Sequence, residues 1–218
     1  MNVWYAVCSI NEKRCTQCFA AWKAMGYRTA VLLDKGKPVP QNTDLHIEES
    51  VWPGYYQSFI KLCKTIGDAA DIVVTGGDDI TPDFKNRADK IGKEFFEHFP
   101  DGFGVMQPTG DDMPGRYEIC PSPWIGSGWI RRAYGGKHPV WPEYFGFFGD
   151  EELKNVSEKL GVLWRRDDLI QYHDHWSRKD GPKKTDYQIK NDGYWKADET
   201  LFHARKAEGF PGHEPLIA

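Results

Sequence analysis

A mostly parallel β-sheet with helices on both faces is the fold class this 218-residue chain predicts. Three observations carry it: short apolar runs rich in β-formers, apolar residues at helical spacing between them, and a repeat of that order through the first 107 residues. The composition is globular, with 40% hydrophobic and 28% charged residues, which excludes a disordered chain.

The run VWYAVCSI reads as a buried strand, and Asn11 as the cap of a helix on which Cys15, Cys18, Phe19, Trp22 and Met25 form one apolar stripe. Gly26 stops it, and the strand YRTAVLL follows, ending at Asp34. The order then recurs. Tyr56, Phe59, Ile60 and Cys63 share a helical face, Gly67 stops it, and the strand ADIVVT runs into Gly76-Gly77-Asp78-Asp79. A third helix is predicted to open at Pro82 and to carry Phe84, Ala88, Ile91, Phe95 and Phe99, before the strand GFGVMQ.

Beyond residue 110 the pattern loosens into Gly- and Pro-rich chain, a short helix through Trp129 to Tyr134, and an aromatic run. A helix with Leu153, Val156 and Leu160 on one side and a β-like DLIQ follow. The chain is read as a single domain, 1–218, with halves at 1–110 and 111–176. The extension 177–218 is polar and rich in lysine, including Lys179, Lys183, Lys184 and Lys190, and either wraps back or stays loose.

Five cysteines, an odd number set mostly in apolar segments, suit reduced thiols and a cytoplasmic location. No apolar run approaches the roughly 20 residues that span a bilayer, so neither a membrane anchor nor a signal peptide is expected. The net charge of -4 argues against a broad nucleic-acid-binding face.

Ligands of open parallel sheets bind beyond the carboxyl ends of the strands, which puts Ser9, Asp34, Asp78 and Asp79 on one rim. Adjacent carboxylates with no lysine or arginine beside them in sequence repel, and a divalent cation is their natural neutraliser. A solvated turn explains Gly-Gly-Asp-Asp equally well. His173 and His175, two residues apart, fall on one side of an extended segment, as a ligand pair or as a surface pair. Asp150, Glu151 and Glu152 open a helix, where the dipole favours acids and where a general base could meet a sugar beside an aromatic wall. Cys15 and Cys18 lie on a helix stripe without a second pair, which favours packing over zinc. The doublets Arg131-Arg132 and Arg165-Arg166 are candidate phosphate contacts or solvated charge.

Taken in order, the first strand with Asn11 and Arg14 after it, the strand ending in Asp34, TGGDDITPD, GSGW, GDEEL and YHDHW resemble the nucleotide-sugar-dependent glycosyltransferases of the GT-A fold, most like family 2. The resemblance covers about residues 3–176 and implies a Rossmann-like, mostly parallel sheet. It implies donor binding by Ser9, Asn11, Arg14, Asp34 and Asp78, and by the GSGW stretch Gly126, Ser127, Gly128 and Trp129. It implies a divalent metal, manganese or magnesium, held by Asp79 with His173 or His175, and a catalytic base from Asp150 or Glu151, with Asp150 favoured as first in the turn.

The implied reaction is an inverting transfer from a nucleoside-diphosphate sugar, a UDP sugar foremost, to an acceptor hydroxyl. Small soluble members of this kind occur in phages, so the acceptor is a glycan, a small molecule or a hydroxymethylated DNA base. Gly77 stands where the family's metal motif has its first acid, which motivates an alternative: a nucleotide- or sugar-binding module of the same fold without turnover.

Overall fold

The computed structural model describes residues 1–178, 180, 183–184 and 186–217. The side chains of residues 186, 187 and 190, like all of residue 179, lie outside that description, so two of the tail lysines do too.

Seven strands form one sheet in the order β3-β2-β1-β4-β6-β5-β7. They are β1 (Val3–Cys8), β2 (Arg28–Asp34), β3 (Leu45–Glu49), β4 (Ile72–Thr75), β5 (Val105–Pro108), β6 (Trp124–Gly126) and β7 (Leu163–Arg166). β1 to β4 pair in parallel, as do β5 and β7, while β6 runs antiparallel to both neighbours. The predicted α/β class holds, with β6 as the exception to its direction.

Alternation along the strands sorts the core into two layers. Trp4, Ala6, Ala30, Leu32, Val73, Val105 and Ile125 face one cluster, joined there by α2 (Tyr55–Ile66), α4 (Ser127–Gly136), α5 (Gly149–Lys159) and α7 (Trp195–Ala207). Tyr5, Val7, Val31, Leu33, Ile72, Val74, Met106 and Trp124 face the other, under α1 (Glu12–Ala24) and α3 (Ala88–His98). Strands buried on both faces need continuous apolar runs, which is why β1, β2 and β4 were visible in the sequence. β3 was not, because it is an edge strand whose LHIEE alternates half-buried and exposed.

Two expectations are corrected, and the open choice for the extension is decided. The third helix starts at Ala88 rather than Pro82, because the Asp83 carboxylate accepts from the Lys85 and Asn86 N–H groups and holds 83–86 as a turn; Phe84 is exposed. The strand near DLIQ is LWRR, five residues earlier, where β7 pairs with β5. The extension wraps back: beyond the short α6 (Asp186–Asn191), α7 buries Asp198, Phe202 and Arg205. The Asp198 carboxylate accepts from the N–H groups of Phe145, Gly146 and Phe147 at 3.0, 2.9 and 2.9 Å, pinning the aromatic loop that leads into α5.

All five cysteines are free, and burial raises their thiols, so Cys15 and Cys18 are core residues. No helix among the described residues is long and apolar enough to cross a membrane.

Candidate active site

β1 leads to β2 on one side of the sheet while its other neighbour is β4, so the chain's direction of winding reverses between β1 and β4. A crevice opens at such a switch point. Ser9 follows β1 there, and Gly76 to Asp79 follow β4.

The loop 76–79 is fixed from beneath. The Tyr5 hydroxyl donates to the Gly77 carbonyl at 2.6 Å, and the Trp22 indole N–H to the Ile80 carbonyl at 2.8 Å. A Cβ on Gly77 would lie 2.1 Å from Asp79 Oδ1, so the absence of an acid at 77 has a steric reason: any side chain there displaces the Asp79 carboxylate.

Ser9 Oγ donates to Asp78 Oδ2 at 2.5 Å. Arg14, absent from the sequence neighbourhood, crosses both acids, with Nε 2.9 Å from Asp78 Oδ1 and Nη2 2.7 Å from Asp79 Oδ2. The expectation of an acid pair without a resident cation is thereby corrected, since 64 residues of sequence separation hid the partner. Burial raises the Asp78 carboxyl against the opposing pull of Ser9 and Arg14. Burial works on Asp79 too, but the hydrogen bond and charge of His173, with Arg14, outweigh it and hold that carboxyl below its ordinary value.

His173 reaches the site through a bridge between its backbone and Ile80, with Thr81 N–H donating to the Tyr172 carbonyl and Asp174 N–H to the Asp79 carbonyl, both at 2.9 Å. Its Nε2 lies 3.4 Å from Asp79 Oδ1. The Asp111 carboxylate, just past β5, accepts from His173 N–H at 3.0 Å and pairs with Arg178, whose Nε–H donates to the His173 carbonyl at 2.5 Å. Asp111 and Arg178 were missed in the sequence; each acts on His173 backbone groups, which leave no side-chain spacing to read. The His175 ring packs 4.7 Å from that of His173, and burial, helped by the charge of His173, lowers its pKa to about 4, so it is neutral at pH 7.

Asp150 opens α5 on the same side. Its Oδ1 accepts from the Tyr56 hydroxyl at 3.1 Å, and its own N–H donates to that oxygen at 3.0 Å. Gly149 is required there, because a Cβ would meet the Tyr56 ring at 2.5 Å. Tyr56 was legible only as an apolar helix-face residue. The partly buried Tyr55, its hydroxyl hydrogen-bonded to Thr75 Oγ1 at 3.0 Å, lies close enough to both Asp150 and Asp79 to feel their charges.

A carboxylate at a helix start is expected to ionise readily, yet burial raises Asp150 despite the Tyr56 hydrogen bond. Burial and then the charge of Asp150 push Glu151 up to about 7, while Lys206 and Lys154 pull the other way. Since Glu151 ionises near pH 4.5 when unfolded and near 7 when folded, the folded chain holds the extra proton between those values and stability falls as pH rises through that window. Glu151→Gln is accordingly expected to raise the melting temperature at pH 8 and leave it unchanged below pH 4.5, as thermal melts across that range would read; an equal shift at both ends would contradict the assignment.

Asp34 ends β2 on the same rim, two residues past the one paired with Cys8. Asn11 serves as the cap of α1, accepting from Arg14 N–H at 3.0 Å. The GSGW stretch is not on this rim. Gly126 pairs with Ile72 at the amino end of β4, because β6 is antiparallel and its carboxyl end points the other way. Its glycines admit close backbone approach: a Cβ on Gly126 would lie 2.2 Å from the Gly102 carbonyl, and one on Gly128 2.3 Å from that of Asp101. Ser127 donates its N–H to the Asp71 carbonyl, and Trp129 is wholly buried with its indole N–H on the Pro139 carbonyl. Among the arginine doublets, Arg132, Arg165 and Arg166 pair with Asp101, Glu158 and Glu94, respectively.

Carboxylate oxygen and imidazole nitrogen suit manganese, and Asp79 Oδ1 and His173 Nε2 are near enough to share one ion. Among the described residues no group of three or more His, Cys, Asp or Glu side chains is arranged to hold a metal. Asp79 and His173 thus offer two donors of suitable type, fewer than a site built from protein groups alone would use.

No protein-family model matches the chain, and no curated protein matches its sequence. Solved structures do. The catalytic domain of Drosophila β1,4-galactosyltransferase 7 in complex with xylobiose matches with a TM-score of 0.51 and 12% identity, covering 87% of this chain and 79% of that one. A mutant of that enzyme in complex with manganese, UDP-Gal and xylobiose matches with a TM-score of 0.50 and 10% identity, over the same shares. The fold is GT-A.

Proposed function

We propose that this chain is a metal-assisted glycosyltransferase that moves a sugar from a nucleoside-diphosphate donor, a UDP sugar, to a glycan hydroxyl with inversion. The observation that carries the reading is the approach of both Asp79 and Asp150 to Tyr55 on one sheet rim, although 71 residues separate Asp150 from Asp79 in the chain. The UDP-Gal, manganese and xylobiose bound by the Drosophila enzyme support the donor, ion and acceptor classes.

In this reading Ser9, Arg14, Asp34 and Asp78 seat the nucleotide, and Asp79 with His173 or His175 would hold manganese or magnesium. The ion, when bound, neutralises charge developing on the departing diphosphate. Asp150 accepts the acceptor hydroxyl's proton as that oxygen attacks the anomeric carbon and the bond to the diphosphate breaks. Asp150 is preferred to Glu151 because it feels His173, whereas Glu151 faces Lys206 and Lys154. The aromatic loop held by Asp198 forms the wall beside it.

Thermal shift with UDP, with and without manganese, tests the reading: a nucleotide at 100 times its Kd adds about 2.7 kcal/mol of stability. Asp79→Ala is expected to lose the manganese-dependent part of that shift and to cut transfer by roughly 10²–10³-fold while remaining folded. No shift for the unsubstituted chain with any nucleotide would refute the reading.

A further inference from the structure

Arg14 does more at this rim than line a pocket. Its Nε and Nη2 each meet a different carboxylate, at 2.9 and 2.7 Å, and the Asp78 and Asp79 side chains are only 16% and 9% exposed. One guanidinium against two carboxylates leaves the cluster one positive charge short of balance. A divalent ion replacing Arg14 would balance the pair, and an ion added beside Arg14 would overshoot by one positive charge. The surplus then needs an anion, and a planar guanidinium grips phosphate with the same fork that grips carboxylate.

Resting on the metal-assisted reading above, we propose that Arg14 is a tethered, exchangeable counter-ion: it closes the acid pair when no ion is bound, and transfers to the donor's diphosphate when a divalent cation takes Asp79. Several features of the fold suit such an exchange. Arg14 sits in the first turn of α1, whose start is anchored independently by the Asn11 cap, so the side chain can swing without moving the helix. Its side chain is 31% exposed, more open than either acid it binds. Asp78 keeps Ser9 as a partner when Arg14 leaves, and Asp79 keeps His173.

Two consequences follow. An ion arriving alone must break both charged contacts and leave the guanidinium without a partner, so it binds weakly. An ion arriving with a nucleoside diphosphate gives Arg14 a new partner, so ion and nucleotide strengthen each other's binding, reciprocally. The chain would thus keep free divalent ions out of the site until donor is present.

Calorimetric titration of manganese chloride into the unsubstituted chain, Arg14→Gln and Arg14→Lys, each with and without UDP, tests this. Arg14→Gln is expected to bind manganese alone at least about tenfold more tightly than the unsubstituted chain, while UDP enhances its manganese binding less. Arg14→Lys keeps the charge but not the fork and should fall between them. Equal manganese affinity of the unsubstituted chain and Arg14→Gln, or an undiminished UDP enhancement in that variant, would overturn the exchange. Absence of manganese binding to every form, even with UDP, would instead overturn the metal-assisted reading on which it rests.

Discussion

Asp150→Asn is expected to lower sugar transfer by about 10²–10⁴-fold, the range that removal of a general base commonly costs. The amide keeps an oxygen to accept the Tyr56 hydroxyl, so the start of α5 stays in place and binding of UDP with manganese should match that of the unsubstituted chain. Initial-rate kinetics beside calorimetry would separate the two effects. Transfer within a few-fold of normal would remove Asp150 as the base and favour Glu151. Tyr56→Phe refines the test through pH. The Tyr56 hydrogen bond lowers the Asp150 pKa, so its loss should move the acid limb of kcat/KM to higher pH while the fold persists.

The largest stability effect is expected at Arg205. Its Nε and Nη2 donate to the two oxygens of Glu152 at 2.8 Å each, the Tyr144 hydroxyl donates to the same carboxylate at 2.8 Å, and the Glu152 side chain is 0% exposed. The guanidinium also stacks 3.4 Å over the Trp141 ring. Removing one partner of a buried pair strands the other charge, at a cost of about 3–5 kcal/mol. Arg205→Met should lower the Tm by roughly 6–20 °C for a chain of this size. Glu152→Leu combined with Arg205→Met leaves no stranded charge and should recover most of that loss. If the double variant melts no higher than Arg205→Met, the cost lies in packing against Trp141 rather than in the carboxylate. Because α7 also holds the loop 145–147 through Asp198, transfer should decline in Arg205→Met before the chain unfolds.

Several site residues were legible because their signal is local. Asp78 and Asp79 end an apolar strand, Ser9 ends another, Asn11 stands at a helix start, and Asp150 opens an amphipathic helix after glycine. Strands β1, β2 and β4 were equally plain, since strands buried on both faces read as unbroken apolar runs. Gly126 to Trp129 illustrate the opposite. A glycine turn into a helix looks the same whichever rim it occupies, and only the antiparallel pairing of β6 sends it to the amino end of β4. The same blindness hid Asp111, which meets His173 across 62 residues, and α7, whose buried Asp198, Phe202 and Arg205 keep helical spacing but, two of the three being charged, gave no apolar stripe.

By itself, then, the sequence determined the layered α/β class and the carboxylates that end or begin its elements, because hydrophobic periodicity and helix and turn chemistry are properties of neighbouring residues. Tertiary structure decided which of those groups meet. It set Arg14 across the acid pair, brought His173 to Asp79 and Asp150 to Tyr56, turned GSGW away, and folded the extension back onto the aromatic loop. Each depends on strand order, strand direction and burial, which are set by how distant segments pack and leave no mark in local spacing.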